Sequence, residues 1–266
     1  MKNLNLLVVE GNLPNENQNF KNSGIKTHAE SLRESLAYYS KDLNIDVFNP
    51  CAEKSFDKII PNIKKYDGLI WGGSSLNIYN DCIEIRRQIS FMNECFKNIK
   101  KILAICWGMQ VAVTAAGGEV KKASNGAHIG IAKDIEINEN GLKHPLYRHK
   151  NKKFNSPACN FDEVVSLPKG SIQLASNKIN KIQSINFKFG VSDIWGLQYH
   201  PEITYHKMIS LIKFRKDRLI NIRKCFKNEK EIQNHINFIE QEIKISDKDS
   251  RMLELKNWLN YLKNAA

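Results

Sequence analysis

Cys106 closes the apolar run Lys101-Ile102-Leu103-Ala104-Ile105, and Trp107-Gly108-Met109-Gln110 opens a helix-like run behind it. A strand that ends at a nucleophilic side chain and turns at once into a helix is the sequence form of a nucleophile elbow. Gly108 stands where only a small residue would clear the tight turn. A second apolar run, Trp195-Gly196-Leu197-Gln198-Tyr199, ends in His200-Pro201-Glu202. A cysteine by itself is more often a small buried hydrophobe than a reactive group. With a base and a carboxylate two residues apart at the end of another strand, it points to acyl transfer through a thioester. Such chemistry needs a base for the thiol, a group that orients the base, and donors for the oxyanion. Cys106 is the expected nucleophile and His200 the expected general acid and base. Glu202 would fix the imidazole tautomer, with Pro201 stiffening the link between them.

These residues must be positioned by a sheet. Strand-like runs alternate with helix-like ones, which argues for a mostly parallel sheet covered by helices on both faces. Strands are expected at Leu4–Val9, Ile45–Phe48, Asp67–Trp71, Ile102–Ile105, Ile131–Ile137, Ile172–Ala175, Lys181–Phe187 and Gly196–Tyr199. Helices are expected at Thr27–Tyr39, Ile83–Asn98 and Trp107–Ala116. Thr27 with Glu30 three residues on forms a capping box. The polar, Asn-rich stretch from Glu10 to Ser23 reads as a loop. From Ile203 onward the pattern is helical: Tyr205–Arg223, Glu229–Ile245 and Ser250–Leu262. In an open parallel sheet, ligands sit at the carboxyl ends of the strands, where Cys106 and His200 both fall. We therefore expect residues 1–204 to form one domain and 205–266 a helical extension on or beside it.

Cys-x-Gly-x-Gln, the later Tyr-His-Pro-Glu, and Trp71-Gly72-Gly73-Ser74 before the cysteine together resemble the triad-type class I glutamine amidotransferases, in particular stand-alone proteins similar to the glutaminase domain of GMP synthase. The resemblance covers about the first three-quarters of the chain. It implies a flavodoxin-like α/β/α sandwich and attack of Cys106 on a γ-glutamyl amide. It also implies an oxyanion hole from the N–H groups of Gly73 and Trp107, and substrate contacts from Gly72, Gln110, Phe161 and Asp162. Each of these has an ordinary alternative. Gly72-Gly73 could be a strand-ending turn. Gln110, one helical turn after the nucleophile, could be a surface amide. Asp162, which the resemblance sets against the α-ammonium group of the substrate, could be a turn-capping carboxylate. The loop departs from the family at Asn160, where histidine is usual, and at Phe161, where a small residue is usual. Ala104 and Met109 are milder departures. His128, His144, His149 and His206 have no ligand spacing and read as surface or turn histidines.

Composition sets the outer limits. The chain has 266 residues, 42% hydrophobic and 26% charged, which fits a globular protein with a sizeable core. No apolar run reaches the ~18 residues of a transmembrane helix, and residues 1–5 lack the features of a signal peptide. A cytoplasmic location is expected. The six cysteines are scattered without a Cys-x-x-Cys pair, which speaks against a zinc site or a disulfide framework. No metal or organic cofactor is expected. The net charge of +12 raises the question of nucleic acid. The basic cluster Lys207–Lys230 matches no aromatic-interleaved basic motif of a known nucleic-acid module and reads as a solvated helix face.

The expected activity is hydrolysis of the γ-carboxamide of glutamine, with the ammonia passed to a separate synthetase subunit. One rival is a hydrolase of other γ-glutamyl amides, favoured by the altered Asn160-Phe161 loop. Another is a non-catalytic regulatory subunit whose helical extension is the interaction surface; the extension could equally be a homodimer interface or pack against the domain.

Overall fold

The computed structural model describes residues 3–53 and 55–264. Nine strands form the central sheet: β1 (Leu4–Val9), β2 (Leu43–Phe48), β3 (Gly68–Trp71), β4 (Lys101–Ile105), β5 (Ala132–Ile137), β6 (Lys153–Ser156), β7 (Ile172–Ser176), β8 (Ser184–Phe189) and β9 (Ser192–Leu197). Their order is β2-β1-β3-β4-β9-β8-β7-β5-β6. The five strands from β2 to β9 run parallel, and the sheet continues from β9 through antiparallel pairs. The helices are α1 (Pro14–Asn22), α2 (His28–Tyr39), α3 (Ile83–Asn98), α4 (Trp107–Ala115), α5 (Glu139–Lys143), α6 (Tyr205–Phe214), α7 (Glu229–Ile245), α8 (Lys248–Arg251) and α9 (Leu253–Lys263).

The parallel strands are continuous apolar runs because both of their faces are covered. Leu4, Leu6 and Val8 of β1 pack with Leu32 and Leu36 of α2 and with Trp258 of α9. Leu7 and Val9 face the other way, toward Phe91 and Met92 of α3 and Val111 of α4. The period of two along one strand thus feeds two cores, and the molecule has the three layers expected. The last helix, α9, completes the layer that α2 begins. Thr204 is the N-cap of α6, and its hydroxyl accepts from the N–H of Lys207.

Residues 10–23 differ from the expected loop. Pro14 opens α1 at a position that needs no N–H. Phe20 anchors it, buried against Ile25, Ile203, Met208 and Leu211 and edge-on to Phe214 at 5.8 Å. Asn-rich sequence is a poor helix former, and here a long-range apolar contact overrides that preference. The capping box of α2 is present, with Thr27 accepting from the Glu30 N–H and Glu30 from the Thr27 N–H. A short ribbon pairs Glu119–Lys122 with Asp162–Ser166, and His128–Ile129 pairs with Cys159–Asn160.

Candidate active site

Register brings the two motifs together. In the parallel pair β4·β9, Ile105 lies opposite Leu197, so the chain leaves both strands at the same edge. The Cys106 N–H donates to the Leu197 carbonyl at 2.6 Å. Cys106 has φ 53° and ψ −103° and is the N-cap of α4. A non-glycine residue in this region is strained by about 1–3 kcal/mol, and the strain holds the side chain above the strand end. Gly108 makes the turn possible, since a Cβ there would lie 2.5 Å from the Trp71 carbonyl oxygen. Its N–H instead donates to the Gly72 carbonyl at 3.2 Å.

His200 is buried and its Nδ1 lies 2.7 Å from Glu202 Oε1. That bond leaves Nε2 for Cys106, whose sulfur helps to raise the pKa of the ring. Burial alone would lower the pKa of His200. The Glu202 carboxylate and the Cys106 sulfur outweigh it, and the value is pushed up to about 10. The backbone around the motif is tied down from several directions. The His200 N–H donates to Pro157 at 2.7 Å, and Ser35 Oγ donates to the Glu202 carbonyl at 2.9 Å. Arg251 Nη1 donates to the carbonyls of Pro201 and Ile203, the latter at 2.8 Å.

Gly73 sits against the imidazole pair. A Cβ there would lie 2.6 Å from His28 Cε1 and 3.0 Å from His200 Cε1. Trp107 is the first residue of α4, so its N–H is one of the helix's unpaired donors and stands next to the sulfur. Its indole is buried and donates to Gln88 Oε1 at 2.7 Å. Gly72 spends its N–H on Val9, at 3.1 Å, and its carbonyl on Gly108, so its backbone joins β1, β3 and α4.

The family model for class-I glutamine amidotransferases matches residues 26–216. The chain belongs to that family. It is accordingly an enzyme, and the expectation of a hydrolase activity is met.

This amidotransferase is 28% identical to a γ-glutamyl-L-1-hydroxyisopropylamide hydrolase of Pseudomonas sp., aligned over 98% of this chain and 94% of that protein. It is 31% identical to the glutamine-hydrolysing component of GMP synthase from Methanosarcina acetivorans, over 56% of this chain and 76% of that one. A glutamine amidotransferase structure from Thermotoga maritima superposes with a TM-score of 0.68 at 18% identity, covering 98% of this chain and 99% of the other. That likeness speaks for the fold.

Several of the expected residues fall around one cleft of about 700 Å³, its open mouth included. Cys106, Trp107, Gln110, Asn160 and Phe161 all line it. Gln110 is buried, not a surface amide. Its Nε2 lies 3.4 Å from Gln198 Oε1, and Gln198 Nε2 lies 3.5 Å from Cys106 Sγ. Asp162 is not part of the lining. Its carboxylate accepts from Asn77 Nδ2 at 2.6 Å and from the Tyr79 hydroxyl at 2.9 Å. Burial raises its pKa despite these bonds.

One expectation fails at His128, which is neither a surface nor a turn residue. It is buried, with Nδ1 3.0 Å from Asn160 Oδ1 and Nε2 3.0 Å from Asn177 Nδ2. Burial, opposed by the two amides, brings its pKa down to about 4. This neutral imidazole holds Asn160, whose Nδ2 in turn holds the Asp162 carbonyl at 3.0 Å. Asn160 thus shapes the loop from within. The basic run is also not wholly solvated: Arg215, Arg218 and Arg223 line the cleft. Lys207 Nζ reaches the Ser31 hydroxyl at 2.7 Å. Burial leads its pKa down to about 8, against the pull of Glu202 and Glu10.

Two residues of the site are not singled out by the sequence. Gln198 carries a signal, an amide inside an apolar strand run two residues before His200. His28 carries none. Its ring stacks on His200 with centroids 5.6 Å apart at 24°. Burial first, then the charges of Lys207, His200 and Arg215, hold its pKa well below the usual value. His28, His200 and Glu202 offer ligand-type atoms within 4.8 Å of one another, but the Nδ1 of His200 is engaged by Glu202. Among the described residues no helix is long and apolar enough to cross a membrane.

Proposed function

We propose that this amidotransferase hydrolyses γ-glutamyl amides through a thioester on Cys106, with His200 and Glu202 completing the triad. The carrying observation is the buried His200, bonded to Glu202 on one nitrogen and facing Cys106 with the other. His200 takes the Cys106 proton, the sulfur attacks the γ-carbonyl carbon and the C=O pair moves onto oxygen. The N–H groups of Gly73 and Trp107 are the proposed donors to that oxyanion. The C–N bond breaks as His200 gives its proton to the leaving nitrogen. A water, deprotonated by His200, then attacks the thioester carbon. The C–S bond then breaks, His200 returns the proton to sulfur, and glutamate leaves with the thiol restored. A high pKa suits His200 to the first half of this cycle, where it must hold a proton until the amine departs.

Two observations favour a γ-glutamyl amide larger than glutamine. The C-terminal segment forms one wall of the cleft, through Met208, Leu211, Ile212 and Leu219. The γ-glutamyl-hydroxyisopropylamide hydrolase aligns across that segment, whereas the GMP synthase component matches over 56% of the chain. An apolar wall beside the nucleophile suits an organic amine as leaving group. The second reading is glutamine itself, with ammonia passed to a separate synthetase, and the GMP synthase component is the relative that supports it.

Intact-protein mass spectrometry over time, with glutamine and with a panel of γ-glutamyl alkylamides, tests both. An adduct of γ-glutamyl mass, absent in Cys106→Ala, is expected, with turnover faster for the alkylamides. Faster turnover of glutamine would favour the second reading. No adduct with any compound would overturn both.

A further inference from the structure

We propose that Arg215, Arg218 and Arg223 form an anion seat that takes a carboxylate of the γ-glutamyl compound processed at Cys106. The inference rests on the γ-glutamyl amide reading above and adds what selects the substrate. Arg215 is the C-cap of α6, Arg218 opens the π-helical turn Arg218–Ile222 that follows it, and Arg223 is the C-cap of that turn. They line the same cleft as Cys106 and Gln110.

The seat has more positive charge than the protein neutralises. Arg215 Nη2 bonds Glu16 Oε1 at 2.9 Å and Ser75 Oγ at 2.6 Å, while its Nε is buried without a partner. Arg223 Nη2 bonds a neutral acceptor, Asn77 Oδ1, at 3.2 Å. Its guanidinium lies 4.5 Å over the Phe161 ring, and its Nε is also buried without a partner. Asp162, which feels the charge of Arg223, is already bonded to Asn77 and Tyr79. Among the described residues, Glu16 is thus the one carboxylate paired directly to the trio. Arg218 is half-buried. Burial first, then Arg215 and Arg223, disfavour its charged form.

Two buried guanidinium donors without partners and a third arginine repelled by both its neighbours make an arrangement that an anion would relieve. A guanidinium offers a planar fork that matches a carboxylate. Every γ-glutamyl compound brings an α-carboxylate, and a γ-glutamyl amino acid brings a second on the leaving amine. The outer bonds of Arg215 and Arg223 also pin the helices, so Arg218 is the clean position to test.

Calorimetric titration of Cys106→Ala, with and without Arg218→Met or Arg218→Lys, decides the matter. The probes are two pairs, glutamine with its α-carboxamide and γ-glutamylglycine with γ-glutamylglycinamide. Arg218→Met is expected to weaken an acid by about tenfold or more relative to its amide partner, with Arg218→Lys in between. Selective loss in the glutamine pair identifies the α-carboxylate as the occupant. Selective loss in the glycine pair identifies the leaving-group carboxylate. Equal loss for acid and amide, no loss, or no binding of any of the four would overturn the proposal. Wild-type turnover of the same compounds is followed separately. Its absence would sink the γ-glutamyl amide reading while leaving the binding pairs to decide the arginine seat.

Discussion

Arg251 donates to the carbonyl of Pro201, the residue that joins His200 to Glu202. Fifty residues of chain separate the two, yet the guanidinium is buried and also holds the Ile203 carbonyl. Three positions on, Glu254 accepts from the Tyr199 hydroxyl at 2.7 Å and pairs with buried Lys150 at 2.9 Å. The C-terminal segment therefore grips the turn that carries His200 and Glu202 from both sides, at Tyr199 and at Pro201–Ile203. A helical segment that looks accessory in the sequence helps to set the angle at which His200 meets Cys106.

Removal of that grip should be felt more in turnover than in binding. Arg251→Met is expected to lower kcat by about ten- to a hundredfold with KM changed little, because sub-ångström misplacement of a catalytic base is costly. Destabilisation should be on the order of 2 kcal/mol from the lost charge-assisted bonds. Arg251→Lys, which keeps the charge but can reach fewer carbonyls, should recover part of kcat. Steady-state kinetics beside chemical denaturation separate the two effects. A variant with lowered stability and unchanged kcat would show Arg251 to be structural alone.

The strain at Cys106 gives a prediction with opposite signs for function and stability. Cys106→Gly and Cys106→Ala should both abolish turnover. Glycine tolerates φ 53° and ψ −103°, whereas alanine keeps the strain. After glycine's greater freedom in the unfolded chain is subtracted, Cys106→Gly should be the more stable by about 1 kcal/mol. Urea melts of the two variants measure it, and a Cys106→Gly less stable than Cys106→Ala by the full entropic cost of glycine would mean that the elbow stores no strain.

Gly73 should be more sensitive in activity than in stability. The added methyl of Gly73→Ala would lie 2.6 Å from His28 and 3.0 Å from His200, and it must push the imidazole pair aside. Turnover is expected to fall at least about tenfold for a cost near 1–2 kcal/mol in folding. His28→Ala opens space for that methyl, so the double variant should recover activity relative to Gly73→Ala. No recovery would mean that the damage lies in the backbone of residue 73.

How much of this is legible in the sequence depends on the range of the interactions. The parallel strands can be read because burial on both faces leaves no polar positions, and α2 because its capping box is local. The spacing of Cys106, His200 and Glu202 is visible because strand ends in a parallel sheet share one edge. What cannot be read needs tertiary contacts. Helix α1 depends on Phe20 meeting residues beyond 200. The stacking of His28 on His200 depends on where α2 lies across the sheet. His128 is buried by a network of amides that no spacing announces. The inward turn of Arg215, Arg218 and Arg223 depends on a π-helical turn inside a basic stretch that periodicity alone assigns to solvent.

The pH dependence of the triad follows from the raised pKa of His200. Its folded value, about 10, lies above its ordinary 6.5. The stability gained from its charged form is therefore fully present below about pH 6.5 and is lost as pH rises through about 10. Glu202→Gln removes the largest of the groups that raise that value and should bring it down. The difference in melting temperature between wild type and Glu202→Gln should then be widest near pH 6 and shrink toward pH 10. Imidazole NMR, with His200→Ala to assign the resonance, follows the proton directly. In wild type the His200 ring should remain protonated at pH 8, and in Glu202→Gln it should titrate at lower pH. A wild-type His200 that titrates near 6.5, unmoved by Glu202→Gln, would show that the carboxylate orients the ring without holding its charge.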